Sequence, residues 1–192
     1  MEERSMNEIE SLGLITQMIQ NARTNLRAKI NRYALLLWGY VIVIVAMAVW
    51  LINLTAPFAY SSFLWFLIPL ICYPAVYFLS KRGEVIPPSY IEKVIDYVTV
   101  MIGILCATTA LSTIWVAYPV FFIEGLLISL WMFVLGLLIK YKPVIVGAVA
   151  GMLLAHCLLF IGNALYHIPV FALIVVVAVL VPGHILKKHI DK

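Results

Sequence analysis

The sequence predicts an all-α, polytopic membrane protein: six transmembrane helices preceded by an amphipathic N-terminal helix. Hydrophobic residues make up 65% of the 192 positions and charged residues 11%, with a mean hydropathy of +1.07. A water-soluble domain of that composition could not cover itself with polar groups. Six apolar runs are each long enough for the roughly 20 residues that carry a helix across about 30 Å of hydrocarbon. All 13 lysines and arginines fall in four tracts, and an even number of runs separates any two of them. Every cation can therefore face the same side of a membrane, which is the positive-inside pattern.

The chain divides into an arm, residues 1–32, and a membrane domain, residues 33–192, ending in a short tail. The predicted spans are Tyr33–Asn53, Ser62–Ser80, Val94–Ala117, Val120–Ile139, Pro143–Gly162 and Ile168–Leu186. The odd-numbered turns, Leu54–Ser61, the stretch around Tyr118 and Asn163–His167, hold no lysine or arginine. Cations sit instead in the arm (Arg4, Arg23, Arg27, Lys29, Arg32), the second loop (Lys81, Arg82, Lys93), the fourth loop (Lys140, Lys142) and the tail (Lys187, Lys188, Lys192). Both termini are expected in the cytoplasm. The net charge of +4 reflects this topology and an affinity for anionic lipid, not for nucleic acid, because no reader motif accompanies it.

Smaller features agree. Pro119, Pro143 and Pro169 stand where helices begin and a missing backbone donor costs nothing. Trp50, Tyr60, Trp65, Trp115, Tyr118 and Tyr166 mark one interface, and Tyr33, Trp38, Tyr90, Tyr97 and Tyr141 the other. The first span follows a long polar arm and lacks a cleavage site, so it reads as a retained span rather than a signal peptide.

The arm opens with Ser5 and Glu8 at capping-box spacing and then repeats Ile9, Leu12, Ile15, Ile19, Ala22, Leu26 and Ile30 at steps of three and four. Acidic Glu8 and Glu10 near its start and basic Arg23, Arg27 and Lys29 near its end oppose the helix dipole. Only Gly13 weakens the pattern. The stripe either lies at the membrane interface or beneath its own bundle, or docks a cytoplasmic partner protein through Ile9, Leu12, Ile15, Ile19 and Leu26.

Within the spans, ionisable groups are costly and so informative. Glu124 lies one turn into span four, His156 deep in span five, and Asp96 near the start of span three. Glu124, His156, Asn163 and His167 form a candidate outward-facing polar route, since His156 and Asn163 share a helical face and the turn after span five is on the same side as the start of span four. The plainer reading gives each a local role: a hydrogen-bonded Glu near a helix N-terminus and a core histidine bonded to a neighbouring helix. Thr108, Thr109, Ser112 and Thr113 serve either as interhelical glue or as the wall of a polar cavity.

Cys72, Cys106 and Cys157 read as small buried hydrophobes, without zinc-site spacing or a disulfide framework. No catalytic motif, metal set or cofactor site is recognisable, so an enzyme is not expected. Gly147, Gly151 and Ala155 recur at four-residue steps, which predicts close helix packing, internal or between copies. Pro69 and Pro74 in span two, and Pro182 with Gly183 in span six, predict kinks.

Glu10, Ser11, Leu12, Leu14, Ile15, Met18 and Ile19 in the arm, Leu37–Trp38–Gly39–Tyr40 in span one and Pro182–Gly183–His184–Ile185–Leu186 near the end carry a resemblance. The chain resembles a group of small multi-spanning inner-membrane proteins of unknown function from Bacteroides-type bacteria. The likeness runs nearly end to end. It implies a bacterial inner membrane and transfers no site residue.

The expected function is that of a non-enzymatic integral membrane protein that binds a partner protein or senses lipid state through its arm, with membrane lipids and a second copy as further partners. The alternative is a small oligomeric transporter or channel using the Glu124 route; a lipid-modifying enzyme is a weaker third.

Overall fold

The computed structural model describes residues 12–14, 16–18, 32–55, 61–80 and 90–190, and these are helical almost throughout, with no strand among them. In chain order the membrane domain contains α1 (Arg32–Thr55), a 3-10 segment Ser61–Phe66 leading into α2 (Leu67–Ser80), α3 (Tyr90–Ser112), α4 (Val120–Leu138) and α5 (Lys142–Cys157). The segment expected as span six, and called that below, is α6 (His167–Val175), a π-helical turn Val176–Leu180 and α7 (Val181–Ile190). Five helices are long and apolar enough to cross a membrane, and a shorter apolar helix, Phe63–Phe78, lies between the first and the next. Of the arm's stripe, Leu12 belongs to a helical stretch and is exposed, while Ile9, Ile15, Ile19 and Leu26 lie outside the described residues.

Span six is the centre of the bundle: 44% of its apolar stretch is buried, against 0% for α3. It packs on α1, α4 and α5, while α2 leans on α1, and α3 leans on α4. The core runs from Met132, Leu135 and Ile139 of α4 through Val144 and Ala148 of α5 to Phe171, Val175, Ala178 and Leu186 of span six. A second cluster joins Val45, Ala46 and Val49 of α1 to Ile168 and Ala172. Trp65, Phe121 and Phe171 draw the 3-10 segment onto α4 and span six, with ring centroids 5.5 to 6.0 Å apart. The Trp65–Phe171 pair is edge-on and the other two are tilted, and the edge-on contact adds to burial alone.

The turns follow from local chemistry. Pro143 occupies the first turn of α5, where its missing donor is harmless. At the end of α4 the chain makes a Schellman turn: the Tyr141 amide donates to Gly136 O at 3.0 Å and the Lys140 amide to Leu137 O at 3.2 Å. Lys140 takes the left-handed conformation usually given to glycine, with φ 49°. Ser61 donates to Asn53 Oδ1 at 3.1 Å, tying the 3-10 segment back to the end of α1.

The prolines of span two and span six act differently. The 3-10 segment precedes Pro69, and Pro74 is carried inside α2. In span six, Pro182 has no amide, and its ring crowds the carbonyl four residues back. The helix widens: Val181 donates to Val176 O, one residue beyond its α-helical acceptor. Val177 O thus loses its usual donor, and it faces α5 where a Cβ on Gly147 would come within 2.9 Å of it. One turn on, a Cβ on Gly151 would lie 2.7 Å from both Ala178 Cβ and Ser129 Oγ. The Gly147–Gly151–Ala155 face thus packs inside one protomer, against α4 and span six.

Alanine at Gly147 or Gly151 is expected to destabilise the bundle by about 1–3 kcal/mol through forced separation of helices. Gly162→Ala, which meets nothing within 4 Å, should stay within about 0.5 kcal/mol. Reversible unfolding in mixed micelles measures the difference.

Candidate functional site

Helix geometry decides which polar side chains can meet. On α4, Phe122, Gly125, Ser129, Met132 and Gly136 follow steps of three and four and face α5 and span six. Glu124 is about 100° round from Gly125, since successive residues turn by that angle. It points toward α3, within electrostatic reach of Cys106. The α3 face turned to α4 runs Ile102, Cys106, Thr109 and Ser112, each better buried than most of its neighbours. Tyr118 completes this seam: its hydroxyl donates to Thr109 O and contacts the Ser112 hydroxyl. Among the described residues no cation pairs with Glu124.

His156 lies on the other side of α4. Its ring stands edge-on to Phe122, with centroids 5.4 Å apart, and Nδ1 donates to Met152 O at 2.8 Å. The imidazole is exposed at the bundle surface. The turn after α5 satisfies itself: Asn163 Oδ1 accepts from the Leu165 amide at 3.0 Å, and His167 Nε2 donates to Ile161 O at 2.8 Å. The structure therefore brings Asn163 and His167 into one turn but puts Glu124 and His156 on different sides of α4. Each of the two histidines holds a backbone carbonyl, and Asn163 caps a 3-10 turn.

The hydroxyls of α3 behave as internal acceptor-seekers. Thr108 donates to Ile104 O and Leu105 O at 3.0 Å, Thr109 to Leu105 O at 2.9 Å, and Thr113 to Ala110 O at 2.6 Å. Bonding back to the same helix removes the need for a partner in lipid. Cys72 is buried and Cys157 exposed, on separate helices from Cys106. Among the described residues no group of three or more His, Cys, Asp or Glu could hold a metal ion.

Two polar features were invisible to spacing. Ser129 is fully buried with no bonded partner for its Oγ among the described residues. Tyr40 of α1 and His184 of α7 form a hydrogen-bonded pair, Oη to Nε2 at 2.5 Å, across 144 residues of chain. A separation that long leaves no periodic signal.

An open hollow of about 330 Å³ lies between α4 and α5, lined by Ile123, Leu126, Leu127, Leu130 and Met152. Its lining is apolar and offers a place for a lipid chain, not a path for an ion. Chemically, the seam around Glu124 can hold a proton or one cation; His156, Asn163 and His167 are already engaged with backbone groups.

If Glu124 and His156 share no pathway, Glu124→Gln and His156→Leu should be additive within about 0.5 kcal/mol in a double-mutant cycle read by unfolding. A coupling well above that would place them on one network. No protein-family model, curated protein or solved structure matches this chain.

Proposed function

We propose that this is a six-crossing protein of a bacterial inner membrane, with both termini in the cytoplasm, that acts without catalysis as a partner-binding or lipid-sensing component. Six crossings are supported by the length of the second apolar segment. A 3-10 helix rises about 2.0 Å per residue and an α-helix about 1.5 Å. At those rises, Ser61–Phe66 and Leu67–Ser80 together reach about 33 Å, close to the hydrocarbon thickness. Orientation rests on the cation tracts, and the approach of the fourth loop and the start of α1 to α7 supports it. Tyr141 beside Lys140 and Lys142 reaches Ile185 O of α7 at 3.4 Å, and Leu36 at the start of α1 packs beside Gly183.

The observation that carries the partner-binding reading is the arm. Residues 12–14 and 16–18 are helical, and Leu12 and Met18 are more than 60% exposed. Apolar side chains on a short helix ahead of a membrane domain fit the groove of a partner or the interfacial layer of lipid. The transporter reading draws on Glu124, the one acidic side chain of α4, held in a polar seam.

Leu12→Ser, Leu14→Ser and Met18→Ser together are expected to leave the protein in the membrane fraction while removing at least half of its crosslinked partner adducts. An unchanged adduct pattern overturns docking through the arm. Reporter fusions at either end should read as cytoplasmic, and a periplasmic signal from one end overturns the six-crossing topology. Solute flux in proteoliposomes that Glu124→Gln abolishes would favour the transporter instead.

A further inference from the structure

We infer that Tyr40, His184 and Lys188 form a binding site for the phosphate of an anionic phospholipid, on the membrane face that carries the basic tail. It stands apart from the arm and from any partner the arm engages.

The site is built by a close crossing of α1 and span six. A Cβ on Gly39 would fall 2.6 Å from Leu180 Cδ2, and one on Gly183 would fall 2.9 Å from Leu36 Cδ2. Two glycines, one on each helix, thus let the backbones approach and fix their relative position. The next residue along each chain, Tyr40 and His184, is then delivered to the same spot. Their rings meet edge to face, with centroids 5.8 Å apart and an interplanar angle of 72°.

This pair is turned outward. Tyr40 is 45% exposed and His184 is exposed. Such a pair retains a spare donor whichever way its protons are arranged. If the tyrosine hydroxyl donates to Nε2, the imidazole carries its proton on Nδ1, which has no partner among the described residues. If Nε2–H donates to the tyrosine oxygen, the phenolic proton is released to point outward. The carbonyl freed by the π turn, Val177 O, faces Gly147 of α5 and not the pair. An anionic oxygen from lipid satisfies either arrangement.

Lys188 supplies the charge. It lies one turn beyond His184 and shares the exposed face formed by Val181, His184, Ile185 and Lys188. Neither α1 nor α7 contains an aspartate or glutamate to oppose an anion. The depth also fits: the pair precedes by one turn the lysines that close span six, where phosphates lie. Ile44 on α1 and Val181 and Ile185 on α7 are exposed beside it and give an acyl chain an apolar path away from the headgroup. Basic pockets between helices on the cation-rich side are a recurring way to hold phospholipid headgroups.

Native mass spectrometry of the full-length protein, released from micelles containing phosphatidylglycerol, tests the site. Dioleoylglycerol, which has the chains without the phosphate, and inorganic phosphate, which has the anion without the chains, are the comparison probes. The wild type should retain phosphatidylglycerol, and Tyr40→Phe, His184→Phe and Lys188→Gln combined should lower its apparent affinity about tenfold. Lys188→Gln alone, which disturbs no packing, should lower it about threefold. Lys93→Gln removes an exposed cation from α3 and should change nothing. Bound phosphatidylglycerol should also raise the unfolding midpoint of the wild type more than that of the combined variant. The proposal is overturned if the combined variant keeps wild-type retention, if Lys93→Gln weakens retention equally, if dioleoylglycerol is retained as well as phosphatidylglycerol, or if millimolar inorganic phosphate displaces the lipid.

Discussion

Close approach of backbones, not apolar burial, holds this bundle together. A leucine gains little by leaving lipid for another helix, so association in a membrane relies on van der Waals contact and polar pairing. Span six obtains that contact because its neighbours lack side chains where it crosses them. Gly147 and Gly151 open α5 to it, and Gly39 opens α1. Pro182 is the other half of the arrangement. By breaking one turn of hydrogen bonding it turns Val177 O toward Gly147, a geometry suited to a Cα–H···O contact of about 0.5–1 kcal/mol. Gly183, the next residue, accommodates Leu36 on the opposite side. Two adjacent residues thus serve two helix crossings.

Features that depend on distance along the chain were legible in the sequence. Span length is one-dimensional, and the fourth apolar run, expected at Val120–Ile139, is the helix Val120–Leu138. Pro69 and Pro182 stand beside the irregular segments while Pro74 is carried within α2, and spacing could not say that one would follow a 3-10 entry and the other a π turn. That depends on what lies opposite. Gly147 leaves room for a displaced carbonyl in span six, and no sequence pattern links residues 147 and 177. Much of the arm's stripe lies beyond the described residues; of its members Leu12 is described, and it is exposed.

Polar chemistry was less legible because it depends on direction around a helix and on which helices are neighbours. Glu124 and His156 both belong to the α4–α5 hairpin, and membrane depth alone allowed them to be joined. Phe122, two residues from Glu124, instead meets the His156 ring, which leaves Glu124 to the α3 side. Asn163 and His167 lie at one turn, and the groups that satisfy them are the turn's own amide and carbonyl. Ser129 shows the same limit in reverse. A serine on an apolar helix looks unremarkable until Gly151 brings a second helix over it and buries its hydroxyl without a partner.

Exposure has a different meaning in this molecule from its meaning in water. The apolar face of α3, with Val100, Met101, Ile104 and Leu111 turned outward, is covered by lipid chains and carries no penalty. The informative outward residues are therefore the polar ones, because hydrocarbon cannot satisfy them. Thr108 and Thr113 avoid that cost by bonding to their own helix, and His156 does the same through Met152. Tyr40 and His184 have each other, yet a two-member pair cannot consume all of its donors. A residual donor facing outward, with a lysine one turn away, defines a preference for negatively charged lipid. The specificity of such a protein lies on its outer surface, where bilayer and helices meet, and its interior need only hold that surface in shape.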